Sequence, residues 1–493
     1  MLNHLKNEAN VAFTTNGARA LETTQSYLVD FFASSGALRN RTDAEVIYLF
    51  SKAFAEDKLL AMKALFYTRD IRGTGQGERK TFRTIIRYLA YLHPETLAKN
   101  ISLIPHFGRY DDLLVLIDTP LESSVMDFIR LQLLEDIDSD NPSLLAKWLP
   151  SHNTSSYKTK KLAKKVMNGL GLTPKQYRKT LSMLRKKINI VESKMSAKEW
   201  SEIEYDKIPS KAGMIYRNAF YRNDKERYTA FIESLKKGNN SVKINAKTLY
   251  PYEIVREYMN SGIVKLGWNN TSIKKLADET LESMWKNLPD YVGDNFDNAL
   301  AVVDTSGSMY GFPITVALSL GVYLAERNKG AFANHFITFS ERPQLQEIVG
   351  ATLAEKLNNM STAYWDMDTD LEKVFDLILN TAVKNNVPQN ELPSKIFIIS
   401  DMQVDCLRGN NDELLFKYMK HRFEEKGYSL PEVVFWNVNA HNNFPVKYNE
   451  AGVVLVSGCS PSIFENLLSG KNMTPYAMML DILNSDRYAS VVV

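Results

Sequence analysis

At 493 residues with 44% apolar content, the chain exceeds what one hydrophobic core serves well and has ample material for more than one. Its two cysteines, Cys406 and Cys459, exclude a disulfide framework or a thiolate metal site, and no apolar run approaches the roughly 18 residues of a membrane span. The net charge of +3 hides an asymmetry: residues 294–493 hold 15 Lys and Arg against 24 Asp and Glu, and the remainder holds 45 against 33. A basic front and an acidic back predict two parts with different partners.

Residues 1–22 are polar, carry Asn-Gly at 16–17 and lack the apolar core of a signal peptide. They are expected to form an extended arm on a soluble, cytoplasmic protein. Residues 23–290 show amphipathic patterns such as T-T-Q-S-Y-L-V-D-F-F, D-K-L-L-A-M-K-A-L-F-Y and K-T-F-R-T-I-I-R-Y-L-A-Y-L, each followed by a turn signal. Short helices that bury one face each need neighbours, so a curved stack of antiparallel pairs is predicted. R-D-I-R-G-T-G-Q-G-E-R-K, at 69–80, follows a helix and lacks a Gly-Lys-Ser/Thr ending, which makes it a helix–helix turn and not a phosphate loop. In H-F-G-R-Y-D-D-L-L, Asp111 and Asp112 suit a helix N-terminus.

Residues 158–187 hold 11 Lys and Arg and no acid. Lys158, Lys160, Lys161, Lys164 and Lys165 are expected to precede one helix; Tyr177, Arg178, Lys179, Arg185, Lys186 and Lys187 occupy the next. A one-sign stripe of this size calls for a polyanion, and single-strand binders pair such stripes with aromatic stacking surfaces, so RNA is the expected partner. Lys211, Tyr216, Arg217, Tyr221, Arg222, Arg227 and Tyr228 extend the pattern.

The segments L-L-A-K-W-L-P-S, Y-R-K-T-L-S-M-L-R-K-K, M-S-A-K-E-W-S-E-I-E-Y, I-N-A-K-T-L-Y-P-Y-E-I-V, R-D-I-R-G-T-G-Q-G-E-R-K, D-T-S-G-S-M and I-I-S-D-M-Q resemble, in the same order, the family catalogued as domain of unknown function 2828. They span about residues 60–405. That family is similar to the Ro autoantigen (TROVE) proteins, which join a ring of HEAT-like helical repeats to a von Willebrand factor A domain. The resemblance implies binding of non-coding or misfolded RNA, with single-stranded ends in the ring and structured RNA on its basic outer face.

A linker is expected over residues 286–298, and residues 294–493 form the second domain. There strands and helices alternate: strands at 331–340 and 344–349 as an antiparallel edge pair, at 395, 433–437 and 453–456, with helices near 313–327, 371, 413, 462 and 475–483. That alternation predicts a doubly wound, mostly parallel sheet and an α plus α/β chain overall. In A-L-A-V-V-D-T-S-G-S-M an apolar strand ends at Asp304 and a hydroxyl-rich turn opens a helix. K-I-F-I-I-S-D-M-Q likewise delivers Asp401, and M-D-T-D places Thr369 and Asp370 before a helical run. Oxygen side chains from three loops suit a hard cation, Mg2+ or another divalent ion. The set Asp304, Ser306, Ser308, Thr369 and Asp401 resembles the metal-ion-dependent adhesion site of von Willebrand factor A domains. One departure is Trp365-Asp366-Met367-Asp368, where family members often carry Gly; these extra acids would bind the ion themselves.

The seven His residues form no H-E-x-x-H, and no G-x-S-x-G elbow precedes a helix, so catalysis is not expected. The leading expectation is a monomeric RNA-binding protein with no membrane partner. The alternative is a metal-dependent scaffold that captures an acidic residue of a protein partner through the adhesion site.

Overall fold

The computed structural model describes residues 1–237, 243–261, 278–293, 298–339, 342–361, 369–407, 413–467 and 473–493. Helices dominate from Tyr27 to Lys286, and a six-stranded sheet with flanking helices follows, so the α plus α/β organisation holds. Among the described residues no helix is long and apolar enough to cross a membrane.

The sheet comprises β3 (Ala299–Val303), β4 (His335–Thr338), β5 (Leu345–Glu347), β6 (Lys395–Ser400), β7 (Glu432–Asn437) and β8 (Val453–Ser457), in the order β5-β4-β3-β6-β7-β8. Only the β4–β5 edge is antiparallel. A-L-A-V-V forms a wholly buried strand because helices cover both faces of a parallel sheet. The Phe312–Arg327 helix is buried without interruption from Pro313 to Ala325, as a helix apolar around its circumference must be. Gly321 brings it against the sheet, where a Cβ would lie 2.6 Å from Val303 Cγ2, and the Pro251–Asn260 helix packs on it as well.

The helical half leaves the sheet and returns to it. The Tyr27–Ser34 helix packs on β8, and Gly36 backs onto Gly458 so closely that a Cβ would stand 2.7 Å from the Ser457 carbonyl oxygen. The Asp43–Glu56, Lys58–Arg69 and Lys80–Leu92 helices stack next, the first opened by a Thr42–Glu45 capping box and the second by Asp57. Ser210–Asn223 and Lys225–Lys236 share a small separate core of Ile203, Tyr205, Phe220, Tyr228 and Ile232. The circuit closes where its ends meet. Arg39 pairs with Glu78, donates to Cys459 Sγ at 3.0 Å and lies 3.9 Å over the Phe312 ring, while Tyr250 abuts Gly77.

Two expectations change, and a third falls partly outside the described residues. Residues 1–22 are no extended arm: they form a helix (Leu2–Ala9) and a hairpin, β1 (Val11–Phe13) with β2 (Arg19–Leu21), that turns through Gly17 at φ +87°. The polar segment gains order from distant partners: Thr14 Oγ1 donates to the Val404 carbonyl at 2.7 Å, and Leu21 N–H to the Phe444 carbonyl at 2.9 Å. Lys158 to Lys165 lie within the Tyr157–Leu170 helix, which begins earlier because Ser156 caps it. Of the 286–298 linker, residues 294–297 lie outside the described residues.

The 69–80 segment is a helix–helix turn, and its buried polar groups are structural, while Arg72 and Arg79 are exposed. Asp70, fully buried, accepts from Arg72 N–H and Gly73 N–H at 3.0 Å and from Arg487 Nε and Nη2 at 2.8 Å. Arg69 and Arg83 flank buried Asp112 at 2.8 and 2.7 Å. Asp70→Ala strips Arg487 and two backbone N–H groups of their acceptor. The expected cost is about 3 kcal/mol, read from the urea midpoint; a loss under about 0.5 kcal/mol, as for a surface pair, would contradict this role.

Candidate functional site

β3 and β6 lie side by side, and the chain diverges from them, to β4 on one side and to β7 on the other. Loops leaving neighbouring strand ends in opposite directions open a crevice at the carboxyl edge of the sheet. Asp304 directly follows β3 and Asp401 directly follows β6, and both are fully buried there.

Asp304 Oδ1 accepts from Ser306 N–H at 2.9 Å and Oδ2 from the Ser400 hydroxyl. Burial first, and then the charge of Asp401, push the Asp304 carboxyl up to about 6. Asp401 Oδ1 accepts from Gln403 N–H at 3.1 Å, and its buried Oδ2, without a hydrogen bond among the described residues, faces the His441 imidazole Nε2 at 3.5 Å. Ser306 Oγ lies 3.2 Å from Ser308 Oγ, and Ser308 is exposed at the rim. Two neighbouring buried carboxylates with two hydroxyls beside them are the donor types that suit a hard divalent cation. Among the described residues no three His, Cys, Asp or Glu side chains are placed to hold a metal ion, so any donor set here would depend on the hydroxyls.

Thr369 reaches the same loop. Its N–H and Oγ1 donate to Asp405 at 2.9 and 2.6 Å, and Oγ1 accepts from Asn16 Nδ2 at 2.6 Å. Asn16 Nδ2 also donates to the Gln403 carbonyl at 2.8 Å, so the tip of the N-terminal hairpin sits over this loop. Trp365 to Asp368 lie outside the described residues. Asn16, Ser400, Gln403 and Asp405 escaped the sequence reading. Asp405, four residues beyond Asp401, carried a local signal; Asn16 is brought in from the far end of the chain and carried none.

The basic stripe divides. Lys158, Lys160, Lys161, Lys164, Arg178, Lys179, Lys186 and Lys187 are exposed. Tyr177 is not a stacking surface: it is 1% exposed and its hydroxyl donates to the Pro150 carbonyl at 2.9 Å. Arg185 is half-buried and donates to the carbonyls of Ala146 and Leu149 and to Ser151 Oγ. Lys187 donates to the carbonyls of Ile137 and Ser139, and Lys165 pairs with Asp118. Of the more distant positions, Arg217 is buried against Glu257 and Asp278, and Tyr228 lies in the small core. Tyr157, 77% exposed at the head of the lysine helix, is an aromatic surface that the sequence reading passed over.

Beside the stripe, a cleft of about 560 Å³ opens between the Pro174–Lys187 helix, the Val191–Ala197 helix and residues 151–153. His152, Arg178, Arg185, Lys186 and Lys194 line it, with Glu199 and Glu202 also in the lining. A cleft of this size admits groups as large as a nucleotide.

A family model described as Domain of unknown function (DUF2828) matches residues 14–128 and 125–295. Another, Domain of unknown function (DUF7788), matches residues 298–484. Uncharacterized protein L728 of Acanthamoeba polyphaga mimivirus is 33% identical over 518 residues, which cover 96% of this chain and 87% of that protein. The crystal structure of the Deinococcus radiodurans RO (RSR) protein is similar at a TM-score of 0.46 and 14% identity, covering 94% of this chain and 99% of that one.

A carboxyl held at about 6, above its ordinary 3.8, disfavours folding where it must ionise. That penalty is full above pH 6 and fades as the pH falls towards 3.8. Asp304→Asn is therefore expected to raise the melting temperature of the EDTA-treated protein at pH 7.5, by a gain that shrinks towards pH 4.5. A loss of stability at pH 7.5 would contradict it.

Proposed function

The chain belongs to the DUF2828 family, and from that footing we propose that it is an RNA-binding protein. Its basic helical half holds the RNA, and its α/β half closes the helical circuit and carries a divalent-ion site. The basic cleft beside the stripe is the observation that carries this reading. Arg178 and Lys186 lie on a helix whose exposed Lys179 adds to them, and Lys158, Lys160, Lys161 and Lys164 extend the field along the preceding helix. Phosphates supply the affinity in such an arrangement, through release of their counterions. Tyr157 offers the ring on which a base stacks.

The role proposed is binding, with no catalysis. Asp304, Asp401, Ser306, Ser308 and Thr369 would hold Mg2+ or another divalent ion, which lends a positive centre to an acceptor oxygen. Hydroxyl donors leave that ion electrophilic. A second reading, a scaffold that captures an acidic residue of a protein partner, is favoured by the exposure of Ser308 at the rim. Asn16 on Thr369 limits the room such a partner would have.

Fluorescence anisotropy with a labelled single-stranded oligoribonucleotide tests the first reading. Affinity is expected to fall steeply with salt. The pair Arg178→Glu and Lys186→Glu is expected to weaken binding at least about tenfold and to flatten the salt slope. Arg185 and Lys187 are left intact because they hold neighbouring carbonyls. Unchanged affinity in the double variant would remove the cleft from the account. Asp304→Ala is expected to leave RNA affinity within about threefold, since on this reading the α/β site makes no phosphate contact; a pulldown partner lost with that substitution would instead support the scaffold reading.

A further inference from the structure

The cleft beside the stripe sets two acids among its cations, which a site for phosphate alone does not need. Arg178 and Lys186 come to it from one helix, Pro174–Lys187, and Glu199 and Glu202 from the turn that follows another, Val191–Ala197. All four are exposed, and among the described residues none of the four side chains makes an ion pair.

The acidic edge is built by the fold. The Val191–Ala197 helix stops at Lys198, which takes the left-handed region at φ +62° without being glycine. Lys198 N–H donates to the Met195 carbonyl at 3.2 Å and Glu199 N–H to the Lys194 carbonyl at 3.0 Å, so the chain reverses there. The Trp200–Glu202 turn is then pinned from outside. Lys194 Nζ donates to the Glu202 carbonyl at 2.6 Å, and Arg227 donates to the Trp200 and Ile203 carbonyls, each at 2.9 Å. These cations thus fix the backbone of the turn, and both carboxylates stay open to a ligand.

We infer that Glu199 and Glu202 receive the Watson–Crick edge of an unpaired guanine whose phosphate lies towards Arg178 and Lys186. The inference rests on the reading of this cleft as an RNA site and adds a base preference to it. An ionised carboxylate only accepts hydrogen bonds. Guanine alone among the four RNA bases offers it two adjacent donors, N1–H and the N2 amine. Adenine and cytosine set an acceptor beside their amino group, and uracil flanks its N–H with two carbonyls, so each turns a lone pair against the carboxylate. In a stem the guanine edge is already paired, which leaves single-stranded guanine as the base that fits.

The test is fluorescence anisotropy of the full-length protein with labelled short oligouridylates, plain or carrying one central guanosine. The guanosine is expected to raise affinity about tenfold or more, and inosine in its place, which lacks the N2 amine, to lose most of that gain. Glu199→Gln with Glu202→Gln is expected to erase the preference while keeping or raising affinity for plain oligouridylate, because two negative charges leave a phosphate site; misfolding would lower both affinities. A preference that survives this pair of substitutions would overturn the role of the two carboxylates. A preference below about twofold in the unaltered protein, with oligouridylate still bound and weakened by Arg178→Glu and Lys186→Glu, would overturn the base reading and leave the RNA cleft standing. No binding of either oligomer at low salt would overturn both. GMP that competes as well as the guanosine oligomer would keep guanine as the ligand and overturn RNA as its source. If the Gln pair fails to fold, the guanosine and inosine oligomers decide the base preference on the unaltered protein.

Discussion

The Phe312–Arg327 helix allows no side to face water, and much of the architecture follows from that. Pro313 to Ala325 are buried continuously, so the sheet alone cannot cover the helix. The Pro251–Asn260 helix supplies further cover, which obliges the helical half to come back to the sheet it left at β8. Arg39, Glu78, Cys459 and Phe312 lock the meeting point. Burial pushes the Cys459 thiol up to about 12, so it stays a neutral acceptor for the Arg39 guanidinium. The same helix begins just after the hydroxyl turn that holds Ser306 and Ser308, so closing the circuit also steadies the Asp304 loop.

Each half places its chemistry where its own construction leaves room. The parallel sheet opens a crevice where the loops after β3 and β6 part, and two buried carboxylates stand in it. The helical half exposes long cationic side chains because its short helices bury only one face each. Lys187 and Arg185 show the cost of reading such a stripe as uniform. Both satisfy carbonyl groups of neighbouring segments, a role that a charge count cannot separate from phosphate contact.

Much of this was legible in the sequence because the signals were local. Apolar runs ending in Asp304 and Asp401 marked two strands and the two central acids that follow them. The helix start after Thr369 was legible too, at Leu371. What was not legible comes from contacts distant along the chain. The polar start of the chain looked like an arm because the carbonyls of Val404 and Phe444, which order it, lie some 390 or more residues away along the sequence. Tyr177 looked like a stacking ring because its hydroxyl partner, the Pro150 carbonyl, belongs to another segment.

The central claim is that the basic helical half is the RNA surface. Ultraviolet crosslinking of RNA retained on the protein purified without nuclease, followed by mapping of the crosslinked peptides, addresses it most directly. Crosslinks concentrated between residues 151 and 199, with Tyr157 among them, are the expected result. Retained RNA crosslinked only to the α/β half, or a preparation whose absorbance ratio at 260 and 280 nm is that of protein alone at low salt, would contradict it.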